Sequence, residues 1–154
     1  MKDLHIIVVG KLNDKSNNPI IELERDYLKR LTSPKLTIHE VRAHSENLEK
    51  EAKEVLAKIY ELEKNEKFYV VLLTEKGKQF ESKDFSHWLS ELTERNKVAF
   101  IIGGASGHGK QIIERAQFKL SLSELTFPHK LARLLLVEQI YRAQTISCNH
   151  PYNK

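Results

Sequence analysis

Two loops concentrate the residues able to do chemistry. The apolar stretch Val98-Ala-Phe-Ile-Ile102 runs straight into Gly103-Gly104-Ala-Ser-Gly107, and Leu120-Ser-Leu-Ser-Glu-Leu-Thr-Phe-Pro-His129 ends in a Ser/Thr-rich loop closed by Pro128. Glycine has no Cβ to hold a ligand off the main chain, so such strand ends offer bare N–H and C=O groups to a ligand. The first loop also reads as Gly104-Ala-Ser-Gly-His-Gly109-Lys110, the G-x-x-x-x-G-K spacing of a phosphate loop behind a strand. Residue 111 is Gln, however, where that loop needs a Ser or Thr hydroxyl to hold magnesium. The strand at 68–73 runs into Thr74-Glu75 rather than a clean Asp for the second magnesium contact. A nucleotide hydrolase is therefore kept as the weaker alternative. The fingerprint G-x-G-x-x-G is absent, which argues against a nicotinamide or flavin site. The single cysteine, Cys148, allows no internal disulfide, suits a reducing cytosol, and has no Cys/His signature beside it. It reads as a structural thiol, and no metal site is expected.

The elements that must position these loops alternate strand and helix, with no linker or repeat. Leu4–Val9, Phe68–Leu73 and Val98–Ile102 are apolar runs, as strands buried on both faces require. Lys35–Val41 alternates like a half-buried strand, and Phe118–Leu122 is a short one. Pro19 opens a helix to about Leu31, with Ile20, Leu23, Tyr27 and Leu31 on one face and Pro34 as its stop. Further helices are expected over Glu46–Glu63, Ser82–Arg95, His108–Ala116 and Pro128–Ser147. Five strands alternating with five helices predict one α/β domain over residues 1–154, a mostly parallel sheet with helices on both faces.

The last helix is apolar nearly all round: Leu131, Leu134, Leu135, Leu136 and Val137 fall within seven residues. One face can pack on the sheet. The other needs a second cover, which is a homodimer partner or another element of the same chain. Charge is uneven too. Residues 97–154 hold eight Lys/Arg against three Asp/Glu, whereas the first 96 residues are close to neutral. Positive charge beside the glycine turn favours an anionic partner such as RNA only slightly, since an imbalance of this size is common. The 40% hydrophobic and 30% charged fractions are those of an ordinary soluble domain. No apolar run approaches the ~20 residues of a membrane span, and the N-terminus lacks a signal peptide, so a cytoplasmic protein without a membrane partner is expected.

The pattern I-I-G-G-x-x-G at 101–107, L-S-x-L-T-F-P-H at 122–129, E-Q-I-Y-R-A at 138–143 and N-H-P-Y at 149–152 closely resembles one family. This is the RlmH family, small SPOUT-class methyltransferases that modify N3 of a pseudouridine in large-subunit ribosomal RNA. The resemblance spans essentially the whole chain, including Val9-Gly10-Lys11-Leu12 and the Leu73…Gly77-Lys78 turn.

The resemblance implies a C-terminal trefoil knot, S-adenosylmethionine as cofactor, a homodimer, and ribosomal RNA within the ribosome as substrate. Mapped onto this chain, the cofactor loops are the strand end at Leu73, the turn Gly103-Gly104, and Ser123, Glu124, Leu125, Thr126, Phe127 and Pro128. Leu73 reads equally well as core. The imide N3 must lose a proton, so a base or a cation near it is useful. His129, Arg142, His150 and Tyr152 are the candidates. Each has a plainer reading: His129 as a first-turn residue, Arg142 as the i,i+4 partner of Glu138, Tyr152 as a tail anchor. Lys130, Arg133 and Lys154 are expected to face RNA phosphates. The family's usual ending is Tyr-His-Lys or Tyr-His-Arg, whereas this chain ends Tyr152-Asn153-Lys154. That departure argues against an indispensable imidazole at 153, and leaves a non-catalytic RNA- or ribosome-binding module as a further alternative.

Overall fold

Alternation along the central strands decides the architecture. In β1 (Leu4–Val9), Leu4, Ile6 and Val8 face one side of the sheet while Ile7 and Val9 face the other, and all five are buried. A sheet apolar on both faces needs a layer of helices on each. This computed structural model, which describes residues 1–12, 18–45 and 47–154, supplies both layers. The elements follow in order as α1 (Pro19–Arg30), β2 (Leu36–Val41), α2 (Leu48–Leu62), β3 (Phe68–Lys78), α3 (Ser82–Arg95), β4 (Lys97–Ile102), α4 (Lys110–Arg115), β5 (Phe118–Leu120) and α5 (His129–Ser147). The sheet order is β2-β1-β4-β3-β5, with every pairing parallel. One core lies under α3 and α5, with α1 packed beside them; the other lies under α2 and α4.

Most element ends fall within two residues of expectation, because caps and stops are local. Asn18 accepts from Ile20 N–H at the start of α1, and Pro19 follows it. Glu46, where the α2 pattern was expected to begin, lies outside the described residues.

Two features differ from expectation. On α1, Tyr27 and Leu31 pack on the core as expected, but the inward place between Ile20 and Tyr27 belongs to Glu24 instead of Leu23. Leu23 is exposed and Glu24 is buried, because Glu24 binds the guanidinium of Arg133 from α5. Strand β3 does not stop at Leu73 but runs on to Lys78. Both Leu73 and Lys78 align with Leu120, so residues 74–77 bulge between them. Gly77 makes this possible: a Cβ there would lie 2.6 Å from the backbone of Lys119 and Leu120.

Candidate functional site

Parallel strands deliver their loops to one edge of the sheet, and the carboxyl edge is where open α/β sheets bind ligands. Here that edge carries a cleft of about 980 Å³, at the upper end of the size of small-molecule sites. Three segments wall it: the strand end and bulge Leu72–Lys76, the turn Ile102–His108, and the loop Leu122–His129. The expected residues Leu73, Gly103, Gly104, Ser123, Leu125, Thr126, Phe127 and Pro128 all line it, with His129 at its border. Glu124 does not line it and is exposed, pointing away where its neighbours Ser123 and Leu125 face in.

Two of the walls are held by their own hydrogen bonds. Gly107 N–H donates to Gly104 C=O at 3.1 Å, closing the glycine turn. The turn is so tight that a Cβ on Gly103 would lie 2.4 Å from the Gly107 oxygen. In the third wall, Ser121 Oγ donates to the Ser123 carbonyl at 2.9 Å and Leu125 N–H donates to Ser123 Oγ at 3.0 Å. The Ser side chains thus fold the loop and leave Leu125, 72% exposed, as an apolar lip. Gly10, at φ +97°, brings the end of β1 beside His129: a Cβ there would sit 3.7 Å from His129 Nε2.

The phosphate-loop alternative finds no support in this geometry. The Lys110 side chain is 88% exposed, lies 3.9 Å from Glu114, and does not line the cleft. Gly109 is there for helix packing, since a Cβ on it would meet Leu48 O at 2.5 Å and Ala52 Cβ at 2.8 Å.

Arg133 corrects the expectation of an RNA-facing cation. Its side chain is buried, with Nε and Nη2 donating to the two Glu24 oxygens at 2.7 and 2.8 Å and Nη1 donating to Glu40 at 2.7 Å. Each of its three guanidinium nitrogens is already bonded to a carboxylate. Lys130 and Lys154 lie outside the cleft lining, Lys154 exposed and Lys130 half-buried.

The remaining candidates form a second cluster. Arg142 lies thirteen residues beyond His129, about 20 Å along α5 at 1.5 Å per residue. Its Nε and Nη2 donate to Glu138 Oε1 and its Nη1 donates to Asn153 Oδ1 at 3.0 Å. The helix ends where Asn149 adopts the left-handed conformation, φ 55°, a role Asn fills well. The tail then folds back. Tyr152 donates to Glu138 at 2.9 Å, sits 3.2 Å from the Tyr27 hydroxyl, and lays its ring edge-on to Tyr141. Burial, then the bonds to Tyr27 and Glu138, push the Tyr152 phenol up from its ordinary value. It stays protonated and acts as a donor, not a base. The bond to Glu138 likewise raises Arg142 and keeps it cationic. His150 is exposed, and its Nδ1 accepts from Tyr152 N–H.

His108 was not among the expected residues, yet it lines the cleft and donates Nε2–H to the Leu73 carbonyl at 2.8 Å. Burial lowers its pKa, with the carbonyl and Glu75 acting the other way. Among the described residues no group of three or more His, Cys, Asp or Glu is placed to hold a metal, and no helix is long and apolar enough to cross a membrane.

Residues 1–153 match a family model described as "Predicted SPOUT methyltransferase". A protein of Carboxydothermus hydrogenoformans named ribosomal RNA large subunit methyltransferase H is 37% identical, over 99% of both chains. A protein of the same name from Prochlorococcus marinus is 41% identical, over 97% of this chain and 94% of its own. Among solved structures, a probable methylase family protein from Haemophilus influenzae superposes on 99% of this chain and 71% of its own, with TM-score 0.60 at 11% identity. The methyltransferase AviRb from Streptomyces viridochromogenes, solved with AdoMet, covers 93% of this chain and 58% of its own, with TM-score 0.52 at 11% identity.

Proposed function

The chain belongs to the SPOUT methyltransferase family, and we propose that it transfers a methyl group from S-adenosylmethionine to N3 of a pseudouridine in large-subunit ribosomal RNA. It does so as a homodimer, on the assembled ribosome, in the cytosol. The observation that carries this reading is the cleft at the carboxyl edge of the sheet, walled by the same three segments that the family pattern marks. Its volume suits a nucleoside-sized ligand, Ile102, Leu122 and Phe127 offer apolar walls, and the turn and loop offer main-chain groups.

The cofactor brings an activated sulfonium methyl, so the chain's task is alignment, water exclusion and help in removing the N3 proton. His129 borders the cleft and stands as the nearest expected proton acceptor. Arg142 and Tyr152 are fixed on a cluster about 20 Å further along the same helix. A tail so placed serves the partner's cleft rather than its own, and brings there a guanidinium and a phenol that both lean on Glu138 within their own subunit. Leu131 and Leu135, exposed one turn apart on α5, suit the dimer contact. From the edge strand β5 the chain returns to the middle of the sheet, where α5 packs on α1, α3 and β4; this return is the passage we take to be the family's knot.

Thermal unfolding with added ligands tests the cofactor. S-adenosylmethionine raises the melting temperature because it binds the native state alone, and ATP with magnesium does not. The reverse pattern would restore the phosphate-loop alternative.

A further inference from the structure

Strands β3 and β4 part company at the cleft. Their ladder pairs Leu72 with Ile101 and ends there, after which β4 turns at Gly103. Gln117 N–H donates to Val70 C=O, so Val70 faces β5, and by strand alternation Leu73 faces the side that β4 has just left. A carbonyl at that position needs another donor. The His108 ring fills the role: Nε2 donates to Leu73 O at 2.8 Å, and Nδ1 would lie 3.2 Å from a Cβ on Gly103. One imidazole thus bonds to the Leu73 wall and lies close beside Gly103 in the other, at the point where the two diverge.

We infer that His108 is a positioning residue for the cofactor, setting the separation and orientation of the Leu73 and Gly103 main-chain walls by replacing the missing ladder hydrogen bond. The inference rests on the methyltransferase reading of this cleft. A neutral ring suffices, because one N–H serves Leu73. Leucine at 108 keeps most of the bulk but leaves the carbonyl unpaired, so the walls lose their common reference.

Calorimetric titration of the dimer with S-adenosylmethionine tests this. His108→Leu weakens binding about tenfold, and His108→Gln, whose amide reaches Leu73, recovers most of the loss. The Michaelis constant for S-adenosylmethionine rises in step, whereas that for ribosomes stays put, which a general loss of structure would not produce. If the leucine variant does not fold, the Gln and Asn variants decide: the Asn amide falls short of Leu73, so Gln must bind more tightly. Equal affinity of Gln and Asn, or leucine within twofold of the native protein, overturns the inference. Native protein that fails to bind S-adenosylmethionine overturns the methyltransferase reading instead.

Discussion

Gly103 and Gly104 are neighbours in the chain, yet a side chain would meet very different surroundings at each. At Gly103 a Cβ runs into the Gly107 carbonyl at 2.4 Å, a backbone atom that cannot move without opening the turn. At Gly104 it would meet Val9 Cγ1 and the Glu51 carboxylate at 3.3–3.5 Å, behind the turn rather than in the cleft. Gly103→Ala therefore abolishes thermal protection by S-adenosylmethionine, Gly104→Ala retains most of it, and Lys110→Ala leaves it unchanged. A second residue-scale prediction concerns His5, whose Nε2 is buried without a hydrogen-bond partner among the described residues. Burial, then the nearby His39 and Lys97, hold its pKa at about 4. Between the ordinary value of 6.5 and about 4, the unfolded chain binds a proton that the native state does not. Stability from this site is thus full above pH 6.5, falls as pH drops through that window, and levels off below it. In urea unfolding, the stability of the native protein minus that of His5→Leu should fall from pH 7 to pH 4.5; a constant difference would contradict this. The glycine turn and the 122–128 loop were legible because their chemistry is local. His108 was not, because its partner, Leu73, is brought near only by strand pairing.

At the scale of elements, α5 organises the domain. Through Arg133 it clamps α1 at Glu24 and β2 at Glu40, and Glu40 also accepts from Leu12 N–H at 2.8 Å, in the loop after β1. Of the elements the clamp joins, α5 starts at the cleft with His129. Arg133→Met strands two carboxylates, one of them buried, and should cost about 3–5 kcal/mol in denaturant unfolding. A loss below ~1 kcal/mol, the level of a surface ion pair, would contradict the clamp. Periodicity located α1 and placed Tyr27 and Leu31 on its inward face but misplaced Leu23, since a pattern of apolar residues cannot anticipate a buried Glu whose partner lies 109 residues away. The extension of β3 was equally hidden. Thr74-Glu-Lys-Gly-Lys78 is polar and reads as a turn, and it becomes strand only because Gly77 lets it lie against β5.

At the scale of the molecule, α5 shows how far its apolar circumference is covered from within. Leu136 and Val137 are buried in their own core, whereas Leu131 and Leu135 remain 43% and 38% exposed. The two halves of that surface answer to different tests. Leu136→Glu buries a charge in the core and should prevent folding. Leu135→Glu should yield a folded monomer by light scattering, with methyl transfer lost because the tail of one subunit no longer meets the cleft of the other. A native protein that is monomeric would contradict this arrangement. The central claim, methyl transfer to large-subunit RNA, is tested most directly with methyl-labelled S-adenosylmethionine and ribosomes from a strain lacking the activity. The native protein should label one pseudouridine in the large-subunit RNA, and a variant lacking residues 152–154 should bind S-adenosylmethionine normally yet transfer nothing. Ribosome binding without label, or full label from the tail-deleted variant, would contradict the account.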